Sequence, residues 1–431
     1  MADPLRPSDD GPWNRSAPPG VDDPVTRISL LSLHTSPLMQ PGTGDSGGMN
    51  VYVRELAAGL AHAGHECRVF VRADRAGQPA MVTVEPGVTV EHVAAGPTEL
   101  SKEDLPGVVD RWADAVGEAI GAAGGTDVLH ANYWLSGVAG HRLKHALHRP
   151  LVSTFHTLAR VKDAAGDPEP EARARAEAEV MRCSDAVLAS CRAEADQLAV
   201  LYGVPRSRLE VVPPGVEHAL FSPGPRAGAR AALSDLDLGD RPMVLFVGRI
   251  QRLKGLDVVV RGVAAMRDRR ATLVVVGGPS GAGGAACLAE VRDLVATHGL
   301  DDRVRFVEPR PHHQLSTLYR AADVIVVPSR SESFGLVALE AAACGRPVVA
   351  AAVGGLSTLV DDGRTGVLLH SRDPGEWAAA LDGVVGRPQQ AARMGRAASH
   401  LADGYGWAAS AEGVAEVYAQ VCARGPVDCA A

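Results

Sequence analysis

Short runs rich in Val, Ile and Leu recur along the chain, separated by stretches whose apolar residues repeat every three or four positions. In the first half RISLLSL, CRVFV, VTVEHV, DVLHA, PLVSTF and AVLAS read as buried strands, with VYVRELAAGLAHAGH and PEARARAEAEVMR as helices between them. The second half repeats the pattern with MVLFVG, ATLVVVG, RVRFVE, DVIVVPS and PVVAA. Strands buried on both faces and alternating with helices predict parallel sheets, so we expect an α/β chain of two doubly wound, Rossmann-like domains facing a central cleft.

Proline and glycine between Pro213 and Arg241, with no long apolar run, place the join. The expected units are a first domain at 27–213, a linker at 214–241, a second domain at 242–404, a closing helix at 405–423 and a tail at 424–431. Val414, Val417, Tyr418 and Val421 give that helix its buried stripe. Residues 1–26, rich in Pro, Asp, Gly and Ser and without the apolar stretch of a secretory leader, read as a disordered extension.

A length of 431 residues suits two cores rather than one, and 46% hydrophobic with 22% charged residues is a soluble globular composition. The net charge of −8 argues against a general nucleic-acid binder. Seven scattered cysteines without a C-x-x-C pair predict reduced thiols and a cytoplasmic setting. No His, Cys or Asp cluster shows metal-ligand spacing, and no G-x-S-x-G nucleophile elbow occurs.

Ligands of open α/β sheets bind beyond the carboxyl ends of strands, so the loops after strands carry the candidate chemistry. The first, HTSPLMQPGTGDSGGMN, holds Gly42, Gly44 and Gly47 in a literal G-x-G-x-x-G. A dinucleotide fingerprint opens directly after its strand, whereas Thr35 to Pro41 intervene here, which disfavours an NAD-binding oxidoreductase and leaves a flexible turn or a sugar-diphosphate loop. In the second half Arg249 and Lys254 follow MVLFVG and could flank a diphosphate with charge-assisted hydrogen bonds. Lysine occurs only at 102, 144, 162 and 254, which sets Lys254 apart from ordinary surface charge. Glu340 lies in the otherwise apolar LVALEAAA, and a buried carboxylate there needs partners such as sugar or ribose hydroxyls; Glu332 lies eight residues before it. Two carboxylates also serve glycosidases, but the neighbouring cations would then have no role.

ESFGLVALE, preceded by VGRIQRLKG, resembles the retaining GT-B glycosyltransferases. HTSPLMQPGTGDSGGMNVYV, NYWLSG, FHTLARVKD, VVPPGVE and VVVGGPSG are similar to the subfamily that glycosylates D-inositol 3-phosphate at the start of mycothiol synthesis in actinobacteria. The resemblance implies a hexosyltransferase moving N-acetylglucosamine from UDP-N-acetylglucosamine to 1D-myo-inositol 3-phosphate, acting as a homodimer. It implies donor contacts from Gln40, Pro41, Gly48, Arg249, Lys254, Arg310, Glu332 and Glu340. Acceptor contacts implied are His34, Asp45, Ser46, Gly47, Gly48, Met49, Asn50, Lys102, Tyr133, Thr157 and Arg173. His156 and Glu332 would face the transferred sugar, with no protein nucleophile. By its local sequence alone, Arg173 reads as part of a solvated helix of alternating charge. No cofactor is implied for the chemistry. A magnesium ion is implied near Tyr319, Arg320 and Ala322, although Arg346 stands where the family pattern has a threonine. His130-Ala131-Asn132 likewise replaces the more usual His-Ser-His before Tyr133. The alternatives are another transferase of this fold, of the mannosyltransferase or sucrose-phosphate synthase type, and a sugar-nucleotide sensor without catalysis.

Overall fold

The two series of apolar runs form two separate sheets, each flanked by helices on both faces. A computed structural model describes residues 26–281 and 283–429; all but the last residue of the extension expected at 1–26, and the last two residues of the tail, lie outside them. In chain order the first sheet holds β1 (Arg27–Leu31), β2 (Glu66–Arg72), β3 (Met81–Glu85), β4 (Val88–Val93), β5 (Val128–Asn132), β6 (Leu151–Thr154), β7 (Ala186–Ala189) and β8 (Leu209–Val211). Its spatial order is β3-β4-β2-β1-β5-β6-β7-β8, parallel except for β3 against β4. The second sheet holds β9 (Met243–Val247), β10 (Thr272–Val276), β11 (Val304–Val307), β12 (Val324–Val327), β13 (Val348–Ala351) and β14 (Gly366–Leu369), in the order β11-β10-β9-β12-β13-β14. All its pairings are parallel.

Three strands were not expected from the pattern. β3 is a half-exposed hairpin partner of β4, β8 has only three residues, and β14 begins at a glycine. Each lacks the continuous apolar run by which a doubly covered strand announces itself. Sequence order reverses between β1 and β5 and between β9 and β12, so each sheet has a switch point with its crevice at the carboxyl ends.

Both faces of each sheet are covered by apolar residues. In the first, Leu56, Leu60 and Val414 pack on one side of the sheet, and Trp112, Val116 and Leu143 on the other. The segment 214–241 is less a free linker than an outer layer of the second lobe. Phe221 and Leu238 are buried in that core, and Arg230 Nη2 lies 2.9 Å from Asp323 Oδ2. Beyond it the chain recrosses, and the Trp407–Arg424 helix seats Val414, Val417, Tyr418 and Val421 against the first lobe. The two crossings touch: Val216 N donates to Tyr405 O at 3.0 Å, and Val216 pairs with Gly406. A Cβ on Gly215 would lie 2.3 Å from Trp407 N, so only glycine allows this approach.

The expectation of seven free thiols needs correction. Cys183, at the end of the Glu171–Cys183 helix, is joined to Cys429 in the tail. Cys67, Cys191, Cys287 and Cys344 are buried and free, and Cys422 is exposed and free. The absence of metal-ligand spacing is corrected as well, because donor atoms of His141, Cys183 and Cys429 lie within 4.8 Å of one another. The pairing spans 246 residues, so tertiary folding rather than local spacing creates both features. Among the described residues, no helix is long and apolar enough to cross a membrane.

His130 on β5 fixes the returning helix to the first sheet. Its Nδ1 is 2.6 Å from the Tyr418 hydroxyl and its Nε2 is 2.8 Å from Thr154 Oγ1. Burial, aided by nearby His156, lowers its pKa to about 3. The unfolded imidazole, near 6.5, binds a proton that the folded one refuses, so stability is full above that value and falls as pH drops from about 6.5 towards 3. His130 alone should cost about 2 kcal/mol between pH 7 and pH 5. Urea unfolding of the native chain and of His130→Gln at both pH values checks this, with a shallower loss expected for the variant. An equal loss in both would remove His130 as the source.

Candidate active site

The loop after β1 is tied to itself before it offers anything to a ligand. Gly47 N donates to Asn50 Oδ1 at 2.9 Å, and Asn50 Nδ2 donates to Ser36 O and Thr35 Oγ1, both at 2.7 Å. Buried Ser46 donates to Met39 O at 3.3 Å. The side chains of Ser46 and Asn50 are thus spent on loop geometry, leaving backbone as their means of contact. The Gly48–His62 helix starts here, beside the cleft. The glycines also admit the opposite lobe. A Cβ on Gly47 would lie 3.1 Å from Arg249 Nε, and one on Gly48 3.4 Å from Leu336 Cδ1. Gln40 Nε2 donates across the cleft to Pro309 O at 2.9 Å, so this expected donor contact bridges the lobes. Pro41 and Met49 line the same cleft.

Behind the loop, Tyr133 gathers positive charge. Lys102 Nζ lies 5.1 Å and the Arg173 guanidinium 5.0 Å from its ring centre, with the His34 ring 4.3 Å away. Asp45 Oδ1 lies 3.9 Å from Lys102 Nζ. Burial, then Lys102, Arg249, His156 and Arg173, hold His34 well below its ordinary pKa, so it is neutral. Arg173 is only 4% exposed, which corrects its reading as a solvated residue. Its Nε is 2.8 Å from Glu177 Oε1 and its Nη1 2.9 Å from Glu169 Oε1, and Nη2 donates to Thr157 Oγ1 at 3.0 Å. Alternating charges on a helix face look solvated in sequence; here the 155–159 loop closes over them.

Tyr133 and His156 follow β5 and β6 with φ of 75° and 60°, in the half of backbone space that non-glycine residues avoid. Such positions cost about 1–3 kcal/mol and need surroundings that enforce them. Glu177 does so for the second: buried completely, it accepts from Ala159 N at 3.0 Å while holding Arg173. His156 Nε2 donates to Asn132 Oδ1 at 2.9 Å, and burial lowers its pKa to about 3. It faces the cleft neutral and cannot serve as a charged acid near neutrality.

The opposite wall comes from β9 and β12. Arg249 reaches Ser280 Oγ at 3.3 Å and Asp45 O at 3.4 Å, and burial opposes its charge. Lys254 Nζ lies 2.6 Å from Glu332 Oε2, which also accepts from Ser329 Oγ at 3.0 Å. Arg310 is exposed at the edge of this wall. Glu340 is buried, as its apolar helix required, but protein groups satisfy it. His312 Nε2 is 2.7 Å from Oε1, and the Tyr319 hydroxyl donates to Oε2 at 2.6 Å. Burial opposes charge on His312, yet Glu340 outweighs it and raises its pKa. Sequence reading missed both partners; that an interior carboxylate demands donors was the one available signal. It also missed Glu194, buried on the cleft wall and accepting from Ser190 N at 2.7 Å, and Ser333, whose hydroxyl donates across the lobes to His156 O at 2.5 Å.

The side chains at the implied magnesium position do not fit a cation. Tyr319 donates to Glu340, Ala322 has no donor atom on its side chain, and Arg320 Nε donates to Ser222 O at 2.7 Å. Arg346 adds a second guanidinium, whose charge Arg226 and burial both oppose. We derive no step through a metal there.

The description "Glycosyl transferase 4-like domain" fits residues 47–215, and "Glycosyl transferases group 1" fits residues 234–401. A D-inositol 3-phosphate glycosyltransferase of Kribbella flavida is 47% identical over 93% of this chain and 97% of its own length. One of Xylanimonas cellulosilytica is 47% identical over 95% and 99%. Among solved structures, a sucrose-phosphate synthase of Thermosynechococcus elongatus is 32% identical, with a TM-score of 0.86 over 92% of this chain and 99% of that one. An Anabaena protein, HepE, solved with UDP-glucose, shares the fold at 21% identity and a TM-score of 0.75, over 92% and 100%. Two facing parallel-sheet lobes and this degree of identity over nearly the whole length lead to one conclusion: the chain belongs to the D-inositol 3-phosphate glycosyltransferases, with the GT-B fold.

Proposed function

We propose that the chain transfers N-acetylglucosamine from UDP-N-acetylglucosamine to 1D-myo-inositol 3-phosphate with retention of configuration, the first step of mycothiol synthesis. The observation that carries this is the division of cations between the two lobes: Arg249 and Lys254 line the cleft, while Lys102 and Arg173 lie behind the glycine loop, near enough to act on His34 together with Arg249. Lys102 and Arg173 flank Tyr133 on the first lobe, suited to a phosphorylated acceptor, while Arg249 and Lys254 lie on the second, suited to a diphosphate. The donor sugar and the homodimer follow from family resemblance, and the cytoplasmic setting from the cysteine pattern of the sequence.

In the reaction the bond from the sugar's anomeric carbon to the β-phosphate oxygen breaks while the acceptor hydroxyl attacks on the same face. Its proton passes to the departing oxygen, so no side chain has to be a base or nucleophile. Negative charge grows on the diphosphate, and Arg249 and Lys254 stabilise it. Glu332 holds Lys254 at one end and can receive sugar hydroxyls at the other. Neutral His156 orients the sugar without competing for that proton. Glu340, fixed by His312 and Tyr319, presents its carboxylate to the ribose.

Two predictions follow from the two lobes. Lys254→Ala should lower kcat by about 10²–10³-fold with little change in the donor KM, because the lysine acts mainly on charge that develops late. Steady-state kinetics decides, and a rise in KM at unchanged kcat would mean uniform binding instead. On the other lobe, Lys102→Ala should reduce kcat/KM for inositol 3-phosphate by about 10–100-fold, the worth of one charged hydrogen bond, without altering the poor rate with free inositol. Lys102 is the cleaner probe, since truncating Arg173 would strand Glu177 inside the protein. Equal losses with both acceptors, or equal use of both by the native enzyme, would refute the phosphate assignment; a hexose phosphate as third acceptor tests the sucrose-phosphate synthase alternative.

A further inference from the structure

Away from the cleft, which none of them lines, four metal-binding side chains of the first lobe and the tail converge where the tail meets two helices. His141 and His145 lie one turn apart on the Trp134–Leu147 helix, with ring centres 5.0 Å apart. Their Nε2 atoms lie 3.3 Å and 3.1 Å from Cys429 Sγ. Cys183, the last residue of the neighbouring helix, brings its sulfur to the same point. We propose that, once the Cys183–Cys429 bond is reduced, these two imidazoles and two thiolates bind one tetrahedral divalent ion of the zinc class.

The donor set is the one that suits such an ion: two imidazole nitrogens, two sulfurs and no hard oxygen. Two thiolates balance the ion's double charge, so the half-buried site ends neutral. Ligand bonds of about 2.0–2.3 Å at tetrahedral angles need donor separations of roughly 3.5–3.8 Å. The two distances to Cys429 Sγ are within a few tenths of an ångström of this, and His141 and Cys183 offer donor atoms within 4.8 Å of each other. The sulfurs, bonded to each other in the disulfide, must separate on reduction, which rotation about their Cα–Cβ bonds provides.

Two further observations point to a ligand. Glu179 Oε1 lies 3.9 Å from Nδ1 of His141, the nitrogen on the side away from Cys429, where a ligating histidine ordinarily has an acceptor that fixes its ring. The tail is also held at this place independently of its cysteine. Val427 N donates to Asp185 Oδ1 at 2.6 Å, and Asp185 Oδ2 is 2.9 Å from the buried Lys144 Nζ. Lys144 in turn donates to Cys183 O at 2.7 Å, so the backbone on both sides of the site is already positioned.

The balance of the step is simple. A dithiol reductant supplies two electrons and two protons to the disulfide and becomes a disulfide itself. The ion then displaces both protons from the resulting thiols. Its place would be to pin the tail to the first lobe in reducing surroundings, where a disulfide does not last.

Cobalt(II) is the probe. The full-length protein, reduced with a dithiol and freed of reductant under argon, is titrated with cobalt chloride. We expect one equivalent to bind, with thiolate-to-cobalt charge-transfer bands and the intense visible bands of a tetrahedral ion. His145→Ala, at an exposed position whose loss the fold tolerates, and Cys429→Ser should each abolish that spectrum at one equivalent. Glu179→Gln should weaken binding by about 10-fold. Glycosyl transfer should be unchanged in all three, which shows that they fold. Absence of the charge-transfer bands in the reduced native protein would overturn the proposal. So would a spectrum unaltered by Cys429→Ser or His145→Ala, or a pair of thiols that stays unreactive after dithiol treatment, which would make the bond a permanent structural disulfide.

Discussion

The reactive face of the first lobe rests on a backbone conformation that its residues would not choose. Tyr133 and His156 each turn through positive φ within two residues of a strand end, which places the Tyr133 ring among Lys102, Arg173 and His34 and the His156 ring on the cleft. Glycine would adopt these angles freely but would bring neither the ring that collects Lys102 and Arg173 nor the imidazole on the cleft wall. Burial of Glu177 with Arg173 makes the strained geometry the least costly one, since opening the 155–159 loop would expose or strand an ion pair. Glu177 therefore supports the site without lining the cleft.

Three cations of the site have an anionic companion, and the companions differ in strength, whereas Arg249 reaches only Ser280 Oγ and the Asp45 carbonyl. Lys254 is in direct contact with Glu332, Arg173 is held by two carboxylates, and Lys102 is 3.9 Å from Asp45. Charges balanced in this way keep their positions and cost less desolvation than bare ones. The Lys102 pairing is the loosest of the three.

The sheets were legible because a strand covered on both faces has to be continuously apolar, as in MVLFVG and DVIVVPS. β3 and β14 were not, because edge strands need no such run. Glu340 could be recognised as buried, since nothing else in its helix is polar, while its partners His312 and Tyr319 lie on a separate helix that periodicity cannot align with it. Arg173 shows the opposite failure: its surroundings in sequence are charged, and only the fold reveals that those charges neutralise one another indoors. The cluster at Cys429 was hidden for another reason. His141 and His145 do carry helical metal-site spacing in HRLKH, but both sulfurs come from elsewhere.

The double crossing between lobes has a mechanical consequence. A single linker acts as a ball joint, permitting rotation about any axis; two chains lashed together by Val216, Tyr405 and Gly406 act as a door hinge. Any closing motion would be confined to a swing about one line, which would return the glycine loop to Arg249 and Leu336 in the register seen here. For an enzyme that must bring two anionic substrates together from opposite walls, removing the other rotations replaces a search in orientation with a single angle.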